Sequence, residues 1–277
     1  ECMSEVSDNN IYFMITDFEE IEYIEKNRIN VNVFLKLDTG MGRVGFQEDE
    51  ISELTEKLKN CKYVNAVGIF SHFSSSDSDE EYTKLQEKRF KEMSENIMKE
   101  VHSVKYRHLL NSFGSLKYHD SEYDFVRIGI ILYGAMPYNV KENPVALKDL
   151  IIKNPITVYG EIINIVKLNK GECIGYSNSY IADVDKKVGI VNIGYGDGIL
   201  RDRLKGKTCI INGKDRSIYS TMMSHLVVEI GEEEQIGDRV YIYDDKQQLH
   251  DYTKYFGPNS VQLAALNYDS LKVKKIY

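Results

Sequence analysis

The sequence predicts an α/β segment followed by a β domain, because its hydrophobic periodicity changes once along the chain. Up to about residue 138, helical patterns alternate with short apolar strands, which is typical of parallel βα units and of part of a (β/α) barrel. Beyond about residue 150, apolar and polar residues alternate between turn residues, which predicts antiparallel strands. We therefore expect one domain at residues 1–140 and another at residues 150–277.

Two amphipathic helices are predicted in the first region. The earlier one opens on a candidate capping box of Thr16 and Glu19, and the later one spans roughly residues 79–101 with a similar box of Ser78 and Glu81. Each has an apolar stripe at helical spacing, which indicates a face packed in a core. The stripes comprise Phe18, Ile21 and Ile24 in the first helix, and Phe90, Met93, Ile97 and Val101 in the second.

The second region is marked by alternation and by one strong turn signal. Strands are expected over residues 161–166, 188–193 and 240–243. The pair Asn212 and Gly213 follows the apolar run that starts at Cys209, and Asn-Gly favours a two-residue β-hairpin. This half is therefore expected to be all β.

Composition limits the possible function classes. The 277 residues carry a net charge of −8 and show no basic cluster with interleaved aromatic residues, so nucleic-acid binding is not expected. The four cysteines are scattered without a C-x-x-C pair, which suggests neither a disulfide scaffold nor a zinc site. No stretch approaches ~18 consecutive apolar residues and no signal peptide is visible, so we expect a cytoplasmic protein without a membrane segment in this chain.

The most informative stretch is the glycine-rich string from Lys36 to Phe46, which follows an alternating apolar segment. Its glycines let backbone N–H groups approach a ligand, and the planar guanidinium of Arg43 can pair with a carboxylate or a phosphate. Taken alone, this string is about equally compatible with an anion site and with an ordinary glycine turn that carries a surface arginine. Five more strings follow in order: Ser71-His72-Phe73 with Asp77, Asn111-Ser112, residues 127–134, residues 171–176 and residues 193–198.

Taken together, the six collinear strings resemble those of the alanine racemases, pyridoxal-phosphate (PLP) enzymes that interconvert L- and D-alanine. The resemblance implies a (β/α)8 TIM-like barrel, here lacking its first strands, followed by a C-terminal β domain. In that family a lysine at the end of the first barrel strand holds the cofactor, in a string close to Lys-Ala-Asn-Ala-Tyr-Gly. No lysine of this chain stands in such a context, so we expect the chain to be the C-terminal portion of a longer racemase and to be inactive alone.

Racemisation needs an acid/base on each face of the α-carbon. The resemblance assigns one face to Tyr176 and the other to the family lysine. A tyrosine has an ordinary pKa near ~10, so a nearby cation must stabilise its phenolate, and the resemblance offers His72 and Arg127 as that polar neighbourhood. In isolation Tyr176 would be a structural tyrosine, as most of the 20 tyrosines must be, and His72 a core histidine.

The resemblance also implies roles for the remaining matched residues. Arg127 would face the pyridine nitrogen of the cofactor, Arg43 would bind the substrate carboxylate, and Lys36 would be open to carbamylation. Asn111-Ser112 alone would be read as an ordinary turn. The implied cofactor-binding residues are Asn111, Ser112, Arg127, Gly129 and Ile130, and the implied substrate-binding residues are Arg43, Met223 and Tyr195.

Departures from the family strings leave alternatives open. Ser224 stands where the family has an acidic residue, Ile128 replaces a usual proline, Ser177 replaces a usual glycine, and Tyr268 is the only guess for a late phosphate-binding tyrosine. The first interpretation is an alanine racemase that supplies peptidoglycan precursors and works as a homodimer with shared active sites. The alternatives are the serine/alanine racemase domain of a membrane-anchored glycopeptide-resistance protein, or a non-catalytic relic.

Overall fold

A computed structural model describes residues 11–118, 122–134, 155–204, 208–246 and 259–272, together with Glu5, Ser7 and Asn9. The described residues divide into two compact units, one ending at Gly129 and the other starting at Ile130. Among them, no helix combines the length and apolar character needed to cross a membrane.

The first unit is a four-stranded parallel sheet with helices between successive strands, as the alternating pattern predicts. The strands are β1 (Phe13–Ile15), β2 (Val31–Lys36), β3 (Val64–Phe70) and β4 (Tyr106–His108), paired in that order. The helices are α1 (Phe18–Asn27), α2 (Ile51–Asn60), α3 (Glu80–Glu100) and, after β4, the short α4 (Ser112–Lys117). This unit is the barrel part of the expected fold.

Apolar side chains of the strands and helices form the core of this unit. The predicted helical stripes are confirmed, with Phe18 half-buried and the other members buried. Both predicted capping boxes are wrong by one residue, because Asp17 and Asp79 are the N-caps and accept hydrogen bonds from the N–H groups of Glu20 and Tyr82. A carboxylate at the N-cap also interacts favourably with the helix dipole, which explains why the aspartates take this position from the preceding hydroxyl residues.

One glycine of β3 shapes the face of the sheet that carries the candidate site. A Cβ at Gly68 would lie 2.2 Å from the Phe34 ring, so only glycine leaves room for that ring. The Phe34 ring in turn meets the His108 imidazole edge-on, with 5.1 Å between ring centroids. Because side chains alternate along a strand, Phe34 and Lys36 share this face of β2.

The second unit is a closed six-stranded barrel with strand order β10-β11-β8-β5-β12-β9. Its strands are β5 (Val158–Leu168), β8 (Lys186–Val191), β9 (Thr208–Ile211), β10 (Lys214–Thr221), β11 (Leu226–Glu229) and β12 (Arg239–Tyr243), with β6 (Cys173–Ile174) and β7 (Tyr180–Ile181) as a separate small hairpin. Two short helices, α5 (Arg201–Leu204) and α6 (Asn259–Ala265), make the all-β prediction incomplete. The predicted hairpin turn is confirmed, with positive φ at Asn212 (50°) and Gly213 (79°) joining β9 to β10.

Candidate active site

The string after β2 folds into a loop organised by one carboxylate. Asp38 accepts hydrogen bonds from the N–H groups of Gly40 (2.9 Å), Gly42 (3.1 Å) and Arg43 (3.0 Å). Burial alone would raise the pKa of Asp38, but these bonds and the nearby charge of Lys36 outweigh it and hold the pKa below its usual value. The loop backbone is therefore fixed around an ionised carboxylate, while the Arg43 side chain stays exposed.

Helix α3 holds the same loop from outside. The Tyr82 hydroxyl donates to the Gly40 carbonyl (2.9 Å), and Arg89 donates to the Thr39 carbonyl (3.4 Å). Gly40 has a φ of +128°, and a Cβ there would lie 2.5 Å from the Tyr82 hydroxyl. Both the backbone conformation and the close approach of Tyr82 therefore require glycine.

Lys36 is a buried cation at the end of β2, with only 2% of its surface exposed. Its Nζ donates to the Leu37 carbonyl (2.6 Å) and lies 5.8 Å from the centroid of the Phe70 ring. Burial lowers the pKa of Lys36 to about 8; Asp38 opposes this shift and Arg127 adds to it. About a tenth of the amine is thus uncharged, and therefore nucleophilic, at pH 7.

Arg127 lies between two histidines. Its guanidinium contacts Nδ1 of His108 and Nδ1 of His72 (3.2 Å), and it donates to the Ser71 carbonyl. It also lies over the Phe70 ring, 5.1 Å from the centroid. Burial lowers the pKa of Arg127 to about 10, so the guanidinium is still charged at neutral pH.

Both histidines beside Arg127 are neutral. Burial, followed by the charge of Arg127, lowers the pKa of His72 and of His108 to about 4. Because guanidinium can only donate, Nδ1 of each ring accepts and the proton is placed on Nε2. Of the two candidates Arg127 and His72, only Arg127 is therefore a cation at neutral pH.

Sequence analysis missed His108, a lone histidine that ends β4. The register between β3 and β4 places it opposite Phe70, and the two rings stack with 5.0 Å between centroids and 2° between planes. The one available signal was its position at the carboxyl end of a parallel strand, where functional residues of such sheets gather.

The residues expected to hold a phosphate lie after β4. The N–H of Gly129 donates to the Ser112 hydroxyl (2.8 Å), and a Cβ at Gly129 would meet only that oxygen, at 3.9 Å. A hydroxyl and a backbone N–H thus lie together beside open space, which fits a phosphate group. Asn111 caps α4 by accepting from the N–H of Gly114, and its part in binding the cofactor stays a prediction.

The second unit carries the other expected residues on two turns. Tyr176 lies between β6 and β7 with 52% of its surface exposed. Tyr195 and Met223 lie close together, because the N–H of Tyr195 donates to the Met222 carbonyl (3.1 Å) and the N–H of Gly196 donates to the Met223 carbonyl (2.7 Å).

Comparison with known proteins identifies the family. Residues 1–137 match the family model described as "Alanine racemase, N-terminal domain", and residues 156–266 match "Alanine racemase, C-terminal domain". The chain belongs to the alanine racemase family. The resemblance drawn from the six strings is thereby confirmed, and the family is one of isomerases.

Relatives and solved structures of alanine racemases agree over most of the chain. The alanine racemase of Actinobacillus succinogenes is 31% identical over 92% of this chain and 70% of its own length, and that of Pasteurella multocida is 32% identical over the same shares. The crystal structure of the Enterococcus faecalis alanine racemase ("E.faecalis") has a TM-score of 0.83 at 27% identity, covering 95% of this chain and 73% of that one. The alanine racemase structure from a D-cycloserine-producing Streptomyces lavendulae has a TM-score of 0.87 at 22% identity and 96% and 73% coverage, which supports the fold alone.

Proposed function

We propose that this racemase-family chain, together with a lysine of the family's cofactor-holding string, which its 277 residues lack, interconverts L- and D-alanine with PLP as cofactor. That lysine would be the acid/base on the face opposite Tyr176, so the activity tests use protein that carries it. The observation that carries the proposal is the half-buried Arg127 held between two neutral imidazoles, beside a loop that fixes the backbone of Arg43. When bound, PLP withdraws electrons from the α-carbon of an amino acid and so makes its α-proton removable. The chain supplies residues that bind, orient and move protons around that centre.

The cofactor would be held by two groups of residues. The Ser112 hydroxyl and the Ile130 N–H would bind its phosphate, and the Gly129 N–H would exchange its present acceptor, the Ser112 hydroxyl, for a phosphate oxygen. Asn111 would keep the turn in place. Arg127 would donate to its ring nitrogen. Because the guanidinium keeps its proton, Arg127 would leave that nitrogen unprotonated, which would weaken electron withdrawal and limit side reactions such as transamination.

The substrate carboxylate would pair with Arg43, whose side chain is exposed on an otherwise fixed loop. Lys36 repels this arginine while it is charged. Carbon dioxide would form an N–C bond with the neutral amine of Lys36, and the proton released would pass to water; the lowered pKa of Lys36 makes the neutral form available. Carbamylation would replace the repelling cation with an anion that orients Arg43.

Tyr176 would accept the α-proton at its hydroxyl oxygen from one face of the substrate. Its phenolate needs a stabilising positive charge, which Arg127 supplies. His72 accepts from Arg127 at Nδ1 and keeps a proton on Nε2, so it can donate to the phenolate as a neutral relay. Met223 and Tyr195 would limit the size of the substrate site.

We further propose a cytoplasmic homodimer with shared active sites that supplies D-alanine for peptidoglycan precursors. Tyr176 and Met223 are more than half exposed, and no hydrogen bond of the described residues engages either side chain. Such side chains suit a self-complementary two-fold arrangement, in which the β domain of one subunit completes the barrel site of the other.

Substitution of Tyr176 by phenylalanine tests the one-face role. Exchange of the α-proton for deuterium from L-alanine and from D-alanine should then be lost far more for one enantiomer than for the other, with PLP binding retained. Tyr159→Phe, another exposed tyrosine of the second unit, is the matched control and should change neither rate. Equal loss from both enantiomers would contradict the role of Tyr176.

Mixing two inactive variants tests the shared sites. Arg127→Gln and Tyr176→Phe damage different units of the chain, so a heterodimer would retain one intact site. Random pairing gives about half heterodimers, hence recovery of about a quarter of the wild-type activity. An absence of recovery while subunits exchange would rule out shared sites.

Serine is the alternative substrate, because Ser224 replaces an acidic residue of the family string. The Ser224 hydroxyl lies 3.0 Å from Nδ1 of His225. Parallel assays with alanine and serine decide between the two. A larger kcat/KM for serine would replace the alanine assignment.

A further inference from the structure

The turn that presents Tyr176 has a backbone that needs outside support. Gly175 (φ 86°), Ser177 (φ 55°) and Asn178 (φ 52°) all have positive φ, and only the first is a glycine. Non-glycine residues in this region cost free energy, and they persist where surrounding structure holds them. The residues that pack against the turn must therefore stabilise this backbone conformation.

Ser220 of β10 contacts the turn at two points. Its buried hydroxyl lies 2.6 Å from the Ser179 hydroxyl, three residues after Tyr176. A Cβ at Gly175 would lie 2.3 Å from the same Ser220 oxygen. Gly175 before Tyr176 and Ser179 after it thus both contact Ser220.

Tyr219 holds the strand that leaves the turn. Its ring stacks on the Tyr180 ring with 4.0 Å between centroids and 12° between planes. Lys186 donates to the Tyr180 hydroxyl (2.7 Å), lies near both rings, and pairs with Asp183. The stack thus joins β7 to β10 through side chains.

A β-bulge explains why two successive residues of β10 both reach this turn. The register with β11 pairs Ile218 with Val228 and Ser220 with Val227, so Tyr219 is the extra residue. Bulges re-aim side chains and are frequent beside active sites. In a regular strand, Tyr219 and Ser220 would point to opposite faces.

The same strand end supports the other candidate residues of this unit. Met222 and Met223 follow directly, and their carbonyls accept the N–H groups of Tyr195 and Gly196. One short segment, residues 219–223, therefore connects the Tyr176 turn, the Tyr195 turn and Met223.

We infer that Tyr219 and Ser220 are positioning residues that set the orientation of Tyr176 through Tyr180 and Ser179. This inference rests on the proposed role of Tyr176 as a proton acceptor on one face of the substrate.

Ser220→Ala tests the inference, with Ser217→Ala on the same strand as its matched control. Amide hydrogen exchange over residues 175–180 should speed up about fivefold in Ser220→Ala, the effect of losing about one hydrogen bond, and should not change in Ser217→Ala. This measurement needs no activity. Unchanged exchange in Ser220→Ala would overturn the inference.

Tyr219 offers a second pair of variants. Tyr219→Phe keeps the ring stack and removes only the hydroxyl, which hydrogen-bonds to Tyr180, so it should speed exchange of the turn less than Tyr219→Leu does. Tyr219→Leu removes the stack while retaining apolar bulk, and should speed exchange about as much as Ser220→Ala. Equal behaviour of the two variants would contradict a role for the stack.

The face-specific deuterium exchange separates positioning from general destabilisation. Ser220→Ala should make the rates from L- and D-alanine unequal in the same sense as Tyr176→Phe, by about fivefold, and should add little once Tyr176 is already phenylalanine. If Tyr176→Phe produces no inequality, the proposed function fails. If it does and Ser220→Ala produces none, the positioning inference alone fails.

Discussion

The Arg43 loop of the first unit and the Tyr176 turn of the second stabilise a backbone with positive φ angles in different ways. Each presents a candidate functional side chain on a backbone with several positive φ angles. The Arg43 loop uses glycines at these positions and is organised by its own Asp38, within a few residues along the chain. The Tyr176 turn contains Ser177 and Asn178 and depends on β10, about forty residues later along the sequence.

Burial separates the two regions further. Arg127, His72 and Lys36 are held by hydrogen bonds and have shifted pKa values, whereas Tyr176 is more than half exposed. The first unit thus holds its charged side chains by hydrogen bonds, and the second presents the exposed Tyr176 on a turn that contacts Ser220. Damage to the first region should therefore affect stability and titration, and damage to the second should affect mainly orientation.

The largest expected effect is at Gly40. Gly40→Ala should lower the free energy of unfolding by about 3 kcal/mol, because the new Cβ would meet the Tyr82 hydroxyl at 2.5 Å on a backbone that alanine disfavours. Gly42→Ala is the matched control: it has a φ of +67° and no atom within 4 Å of the new Cβ, so about 1 kcal/mol is expected. Urea unfolding measures both, and equal losses would show that the contact with Tyr82 contributes nothing.

A pH effect of intermediate size is expected from the two histidines. Each has a pKa of about 4 in the folded chain against an ordinary value of 6.5, so the unfolded chain binds protons first as the pH falls. Their contribution to the free energy of unfolding is complete above pH 6.5 and is lost as the pH falls towards 4. We expect a loss of only about 2 kcal/mol, because both rings are partly exposed and solvent weakens the effect.

Arg127→Gln isolates the source of these shifts. Without the guanidinium charge, the pKa values of His72 and His108 should rise, yet stay below 6.5, because burial is the larger cause. Titration of the imidazole NMR signals measures this. Values that remain near 4 would show that Arg127 does not act on the rings.

Asp38→Asn should have a smaller effect, since one oxygen remains to accept hydrogen bonds. We expect a loss of about 1 kcal/mol in the free energy of unfolding and a pKa of Lys36 below its present value of about 8, because Asp38 now raises it. Titration of the NMR signals of the Lys36 side chain measures that pKa. Asp49→Asn, on the surface beyond the loop, is the control and should leave the Lys36 titration unchanged.

The sequence predicted what depends on neighbours along the chain. The strand at residues 240–243 and the Asn212-Gly213 turn were expected and found, because periodicity and turn chemistry are local. Helix starts were wrong by one residue because two adjacent side chains competed for one cap. The role of His108 and the bulge at Tyr219 were not predictable, since both depend on pairing with strands distant along the chain.

The smallest expected effect comes from replacing Ser177 by the glycine usual in this family. At a φ of 55°, glycine removes backbone strain but gives the unfolded chain more freedom, and the two terms nearly cancel. The free energy of unfolding should therefore rise by at most about 0.5 kcal/mol. Ser177→Val, whose branched side chain resists this conformation, should instead lower it by about 1 kcal/mol. If glycine and valine act alike, backbone strain at Ser177 is not what makes the Tyr176 turn depend on Ser220.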